Sequence, residues 1–156
     1  MPARSRFARW IPVFCWMALI FMASTDAFSA AHTSRVIEPL LLWLFPHISF
    51  ETLDFIHFCI RKCGHLMEYA VLGILLWRAI PEHKSRPGIA DWWRAGVALL
   101  VAASYAATDE YHQSFVPSRS SSVHDVLIDA SGAAVALIIV CLANWHRSRR
   151  LEPLLP

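Results

Sequence analysis

Four apolar runs divide the chain, each bounded by charge. The first covers Phe7 to Thr25, with Arg9 near its start and Asp26 at its end. The second runs from Phe58 to Ile80, polar in its first half and unbroken from Tyr69 to Trp77. The third is Trp92 to Thr108 and the fourth Val126 to Trp145. Each approaches the ~20 residues that a bilayer core demands, the third on the short side. In lipid, backbone groups must be satisfied within their own segment, so these runs predict helices. Between the first two runs, Pro39 to Phe45 is strongly apolar but far too short to span. It predicts a short helix in the interface or, more pointedly, a lid over an outward-facing site. The expected fold class is all-α: an integral membrane four-helix bundle with an outer-face interfacial segment between helices 1 and 2. One domain covers residues 1–156.

Composition agrees with that pattern. Of 156 residues, 56% are apolar and 17% charged, and the mean hydropathy is +0.44. These values disfavour an ordinary soluble domain. Trp10, Trp77, Trp92, Trp93 and Trp145 sit near run ends, as interfacial aromatics do, whereas Trp16 and Trp43 fit that belt less well. The formal net charge of +2 says less than its distribution. Arg4, Arg6 and Arg9, then Arg78, Lys84, Arg86 and Arg94, then Arg147, Arg149 and Arg150 make ten of the fourteen basic residues on one side. Arg35, Arg61, Lys62 and Arg119 fall on the other. The positive-inside rule then predicts a multi-pass protein of the plasma membrane with both termini cytoplasmic. A rival reading makes the first run a cleaved signal peptide ending near Ser29-Ala30-Ala31, against which Trp16 and Asp26 count. No Gly-rich phosphate loop is present, and no nucleic-acid partner is expected.

The four cysteines suggest no disulfide framework. Cys15 and Cys141 lie inside apolar runs, where thiols behave as small hydrophobes. Cys59 and Cys63 share a helix face near His57 and His65, but the spacing matches no closed zinc pattern. Packing is the preferred reading, and neither a metal nor another cofactor is expected.

Polar residues concentrate where the apolar runs meet. Lys62, His65 and Tyr69 are spaced i, i+3, i+7, within about 60° of helical arc, with Gly73 one turn on. Asp109 shares a face with Tyr105 and, if the helix continues, with His112 and Gln113; Glu110 adjoins it, and Pro117 stops the helix. Asp125 and Asp129 are i, i+4, and Gly132 and Ala136 extend their stripe. Small residues let helices approach closely, so the acids are expected to face the bundle. Several members have plain explanations. Arg61 and Lys62 can snorkel, Asp125 can cap the fourth helix, and Ser118 and Ser120 to Ser122 suit a turn. Asp129, a turn deeper, either holds a proton, accepts hydrogen bonds, or serves as counter-ion to Lys62. Ionisable groups in or beside membrane-length runs are costly, which favours a functional pocket. Arg119, Lys62 and His65 suit an anionic group such as a lipid-linked phosphate. The acids Asp109, Glu110, Asp125 and Asp129 suit an amine or another cation.

At these residues the chain resembles the VanZ-like family of small membrane proteins. The matching pieces are Lys62-x-x-His65-x-x-x-Tyr69-x-x-Leu72, then Asp109-Glu110-x-x-Gln113-x-Phe115-x-Pro117-x-Arg119, then Asp125-Val-Leu-Ile-Asp129-Ala-Ser-Gly132. They cover about residues 55–140. The chain departs at Ser118, where that family often has Gly, and at Asp129, where it often has Asn. The resemblance implies a cell-envelope setting, since the namesake is associated with resistance to the glycopeptide antibiotic teicoplanin. It names no reaction. The expected partners are membrane lipids and a lipid-linked envelope precursor. A fainter likeness to membrane phosphatidic-acid phosphatases fails: no Pro-Ser-Gly-His box is present, and four residues separate Arg119 from His124 where that type has five. A phosphatase-like enzyme on a lipid headgroup and a non-catalytic transporter or scaffold remain the alternatives.

Overall fold

In the computed structural model, which describes residues 3–25, 30–81, 89–116 and 121–151, the chain forms five helices. They are α1 (Ala3–Ala23), α2 (Ala30–Leu44), α3 (Phe50–Ala79), α4 (Ile89–Gln113) and α5 (Val123–Leu151). No strand forms among the described residues. The fold is all-α, as the apolar runs require. The four runs lie on α1, α3, α4 and α5. The segment between the first two is longer than its apolar part, because α2 begins at Ala30 and passes through Pro39. It lies mainly against α3 and leaves Leu40, Trp43 and Phe45 exposed.

Local chemistry sets the helix ends. Ser49 caps α3 by accepting the Thr52 N–H at 3.2 Å, with Glu51 in the first turn and Arg78 in the last. Both charges complement the helix dipole. Ile80 is extended, and Pro81 then forbids continuation. α4 ends at Gln113, ahead of Pro117, through turn bonds from Ser114 N–H to the Glu110 carbonyl (3.1 Å) and from Val116 N–H to that of Gln113 (3.0 Å). Pro117 itself lies outside the described residues.

The core is built on small side chains. Ala95, Ala98, Ala102 and Ala106 form a buried stripe on α4, facing Tyr69, Leu72 and Leu76 of α3 and Ala133 and Leu137 of α5. α3 and α5 run in the same direction and make the most extensive contact, with α1 and α4 running opposite to them. At the α3–α5 crossing, a Cβ on Gly132 would stand 2.3 Å from the Leu66 carbonyl oxygen. Only glycine fits there. Val13 and Ile20 of α1 are each 1% exposed, so the first run is part of the core. Large apolar side chains instead point outward, among them Phe14 (63% exposed), Leu100 (68%), Leu127 (63%) and Ile139 (61%).

By length and composition, α5 is the one described helix able to cross a membrane, over Val123–Arg150; Phe7–Ala23 is apolar but shorter. The other two expected spans fall short of that measure for a physical reason. α3 carries Arg61, Lys62 and Glu68 in its first half, and the Ala-rich stretch of α4 is bounded by Arg94 and Asp109.

Candidate functional site

The antiparallel arrangement gathers at one end the C-termini of α1 and α4, the first half of α3 and the start of α5. Two cross-links tie α3 to α5 there. The Lys62 ammonium pairs with Asp125 at the lip, where the Lys62 side chain is 17% exposed. A turn deeper, His65 Nδ1 lies 3.3 Å from Asp129 Oδ1, within ion-pair reach but off hydrogen-bond alignment. Lys62 therefore takes Asp125 as its counter-ion. The alternative in which Asp129 plays that part is overturned by register, since parallel helices pair 62 with 125 and 65 with 129. Asp125 is likewise not the cap of α5. Ser122 is, accepting the His124 N–H at 3.2 Å.

A second group joins α1 to α4. Ser24 donates to Asp109 Oδ2 at 2.8 Å, and Gln113 Nε2 donates to the same oxygen at 3.1 Å and to Ser24 Oγ at 3.2 Å. All three are buried. Glu110, on the next position of α4, accepts the Ser122 N–H at 2.8 Å and so fastens the end of α4 to the start of α5. Glu110 lies past the apolar run, and burial raises its carboxyl above the ordinary carboxylate range against the opposing Ser122 hydrogen bond. His112 stacks on Phe21 with ring centroids 4.5 Å apart.

The two groups form one cluster. Asp109 and Asp129 both lie within electrostatic range of Tyr69, and Glu110 feels Asp125, His65 and Asp129. Tyr69 is fully buried beside Tyr105, at 6.3 Å between centroids; Tyr105 donates to the Met17 carbonyl, at 2.7 Å. Of the residues read from sequence, Lys62, His65, Tyr69, Asp109, Glu110, Gln113, Asp125 and Asp129 are thus brought together. Arg119 lies outside the described residues. Cys59 is half-buried and Cys63 exposed. No group of three metal-ligating side chains forms among the described residues.

Sequence reasoning missed two members. Ser24 carries no signal beyond being a polar residue at the end of an apolar run, and its partner is 85 positions away. Ser122 reads as an ordinary turn residue, yet it caps α5 and supplies the N–H that Glu110 accepts.

The polar inventory is not fully matched. Tyr69 Oη, Asp109 Oδ1, Glu110 Oε1, His65 Nδ1 and both Asp129 oxygens are buried and have no hydrogen-bond partner among the described residues. Such groups cost about 1–3 kcal/mol each when left unmade. Four of the six are carboxylate oxygens, so the cluster is equipped to accept hydrogen bonds from something with donors.

Fold and site together define a small all-α protein with a buried, acid-rich cluster at one end of its bundle. The chain belongs to the VanZ/LLP1 family, whose sequence profile matches residues 9–144 and so includes α1 as well as the polar cluster. No curated protein and no solved structure matches it.

Proposed function

We propose that this is a multi-pass membrane protein of the cell envelope, with α1, α3, α4 and α5 spanning and α2 in the interface. Its acid-rich cluster opens on the outer face and binds the polar head of a lipid or lipid-linked precursor. The inside-out packing supports the membrane setting: alanines fill the core while Phe14, Leu100, Leu127 and Ile139 face outward. Such a surface suits hydrocarbon better than water. The end with the polar cluster is opposite the end bearing Arg9, Arg78 and Arg94, as positive-inside insertion requires.

The observation that carries the reading is the set of unpartnered buried atoms around Tyr69, Asp109, Glu110 and Asp129. Tethering of helix ends accounts for Ser24, Gln113, Lys62 and Asp125, which satisfy one another. It does not account for the rest. Because Lys62 is neutralised by Asp125, the remaining atoms favour a head rich in donors, an amine or sugar hydroxyls, over a bare anion. A His–Asp pair beside a phenol is also suited to proton transfer, so turnover of the bound lipid is the outcome that separates an enzyme from a binder.

Untargeted lipid analysis of a deletion strain tests the proposal. One envelope lipid class carrying amine or sugar should change in level, and the wild-type gene should restore it. An unchanged lipid profile would contradict the reading.

A further inference from the structure

The opposite end of the molecule holds a second polar feature, which the acid-rich site does not use. A half-open cavity of about 660 Å³ is lined by Arg9 of α1, Arg78 of α3 and Arg94 of α4, with Pro12, Leu75 and Trp77 as its apolar wall. Arg94 is buried at 4% exposure, its guanidinium lies 4.1 Å from the Trp77 ring centroid, and Nη2 donates to the Trp77 carbonyl at 2.6 Å. Trp77 Nε1 donates in turn to the Asp91 carbonyl at 3.3 Å. The Asp91 carboxylate is 3.6 Å from Arg94 Nη1 and offsets part of its charge. Arg9 and Arg78 are exposed at the mouth.

Membrane insertion explains a surplus of positive charge at this end, but a solvated surface would serve it. It does not require guanidinium groups from three helices to line one cavity, nor one of them to be buried and oriented by an indole. Like charges brought together repel unless an anion joins them. Guanidinium forks match phosphate oxygens in geometry, and stacking on Trp77 pre-orders one fork at little further entropic cost. The volume falls in the range of small-ligand sites. We propose that this cavity binds a phosphate-bearing anion, with Arg9, Arg78 and Arg94 on the phosphate and Pro12, Leu75 and Trp77 against whatever apolar group is attached to it.

The phosphate can belong to a phospholipid headgroup or be free, and the test separates the two. Purified full-length protein in neutral detergent is melted alone, with phosphatidylglycerol, with phosphatidylcholine, and with inorganic phosphate at matched ionic strength. Phosphatidylglycerol should raise Tm by about 3 °C or more, and phosphatidylcholine should raise it less. A comparable rise with inorganic phosphate alone would assign the site to free phosphate; a rise with the lipid only would assign it to a headgroup. In the double variant Arg9→Gln/Arg78→Gln the rise should fall to the phosphatidylcholine level. Both side chains are exposed, so the unliganded variant should keep its helical content, which circular dichroism checks. A full rise in the folded double variant, or no rise in wild type with any phosphate, overturns the proposal. The phospholipid arm rests on the membrane reading; the inorganic-phosphate arm does not, so the two can fail separately.

Discussion

The Lys62 ammonium is held by Asp125, and this ion pair closes the lip of the polar cluster between two helices that run side by side in the same direction. Removing one partner strands the other in a site where water is scarce. Lys62→Met is expected to destabilise the protein by on the order of 3 kcal/mol, and adding Asp125→Leu should recover most of the loss. Thermal or denaturant unfolding in detergent, arranged as a double-mutant cycle, measures both. Additive losses would mean that the two residues do not act as a pair.

The α3–α5 crossing sets a second expectation. Gly132→Ala places a methyl 2.3 Å from the Leu66 carbonyl oxygen, a backbone atom that cannot swing aside. The helices must separate, and a loss of about 1–3 kcal/mol or more should follow, with lower accumulation in cells. Gly96→Ala meets nothing within 4 Å and serves as the control. It should be neutral or stabilising by up to ~1 kcal/mol through helix propensity. Equal melting of the two variants would contradict the close approach.

Glu110 gives the stability a pH dependence of known sign. Its folded carboxyl keeps its proton to higher pH than the ~4.3 of an unfolded glutamate, because burial disfavours the carboxylate. Between those values the folded form holds a proton that the unfolded form has released. Stability therefore falls as pH rises through that window, and the loss is complete above the folded value. Glu110→Gln lacks this step but keeps an acceptor for the Ser122 N–H. Its melting temperature should exceed that of wild type above the window, and the gap should close near or below about pH 4. A gap that does not change with pH would remove Glu110 as its source.

The orientation can be read by labelling. On a background lacking all four cysteines, Ser121→Cys at the polar end should react with impermeant maleimide in intact cells. Ser148→Cys, exposed at the basic end of α5, should react only after permeabilisation. The reverse pattern would turn the polar cluster toward the cytoplasm.

Much of this arrangement was legible in the sequence, because periodicity reports which residues share a face. The stripes Lys62-His65-Tyr69 and Asp125-Asp129-Gly132 do meet, and the small residues do mark the crossing. Periodicity carries no register between helices, so it left open whether Lys62 pairs with Asp125 or Asp129; packing at Gly132 decides that. Ser24 was invisible for the same reason, since its role depends on where the end of α1 falls beside Asp109. The extent of α2 was hidden because its first half, Ala30 to Glu38, is polar enough to look like loop. Hydropathy named four membrane runs, whereas only α5 has the length and composition of a span by itself. The charges that weaken α3 and α4 as spans are largely those that build the polar cluster.

Native mass spectrometry of the gently extracted protein tests the central claim most directly, by asking what co-purifies with the polar cluster. Tyr69→Phe is the variant of choice, because it deletes one unpartnered hydroxyl and leaves the ring in its buried place. The expected result is a bound lipid or lipid-linked species with amine or sugar in its head, retained by wild type and reduced at least several-fold in Tyr69→Phe at equal protein abundance. The contradicting result is the same complement of bound lipids in both proteins, or none with such a head in either.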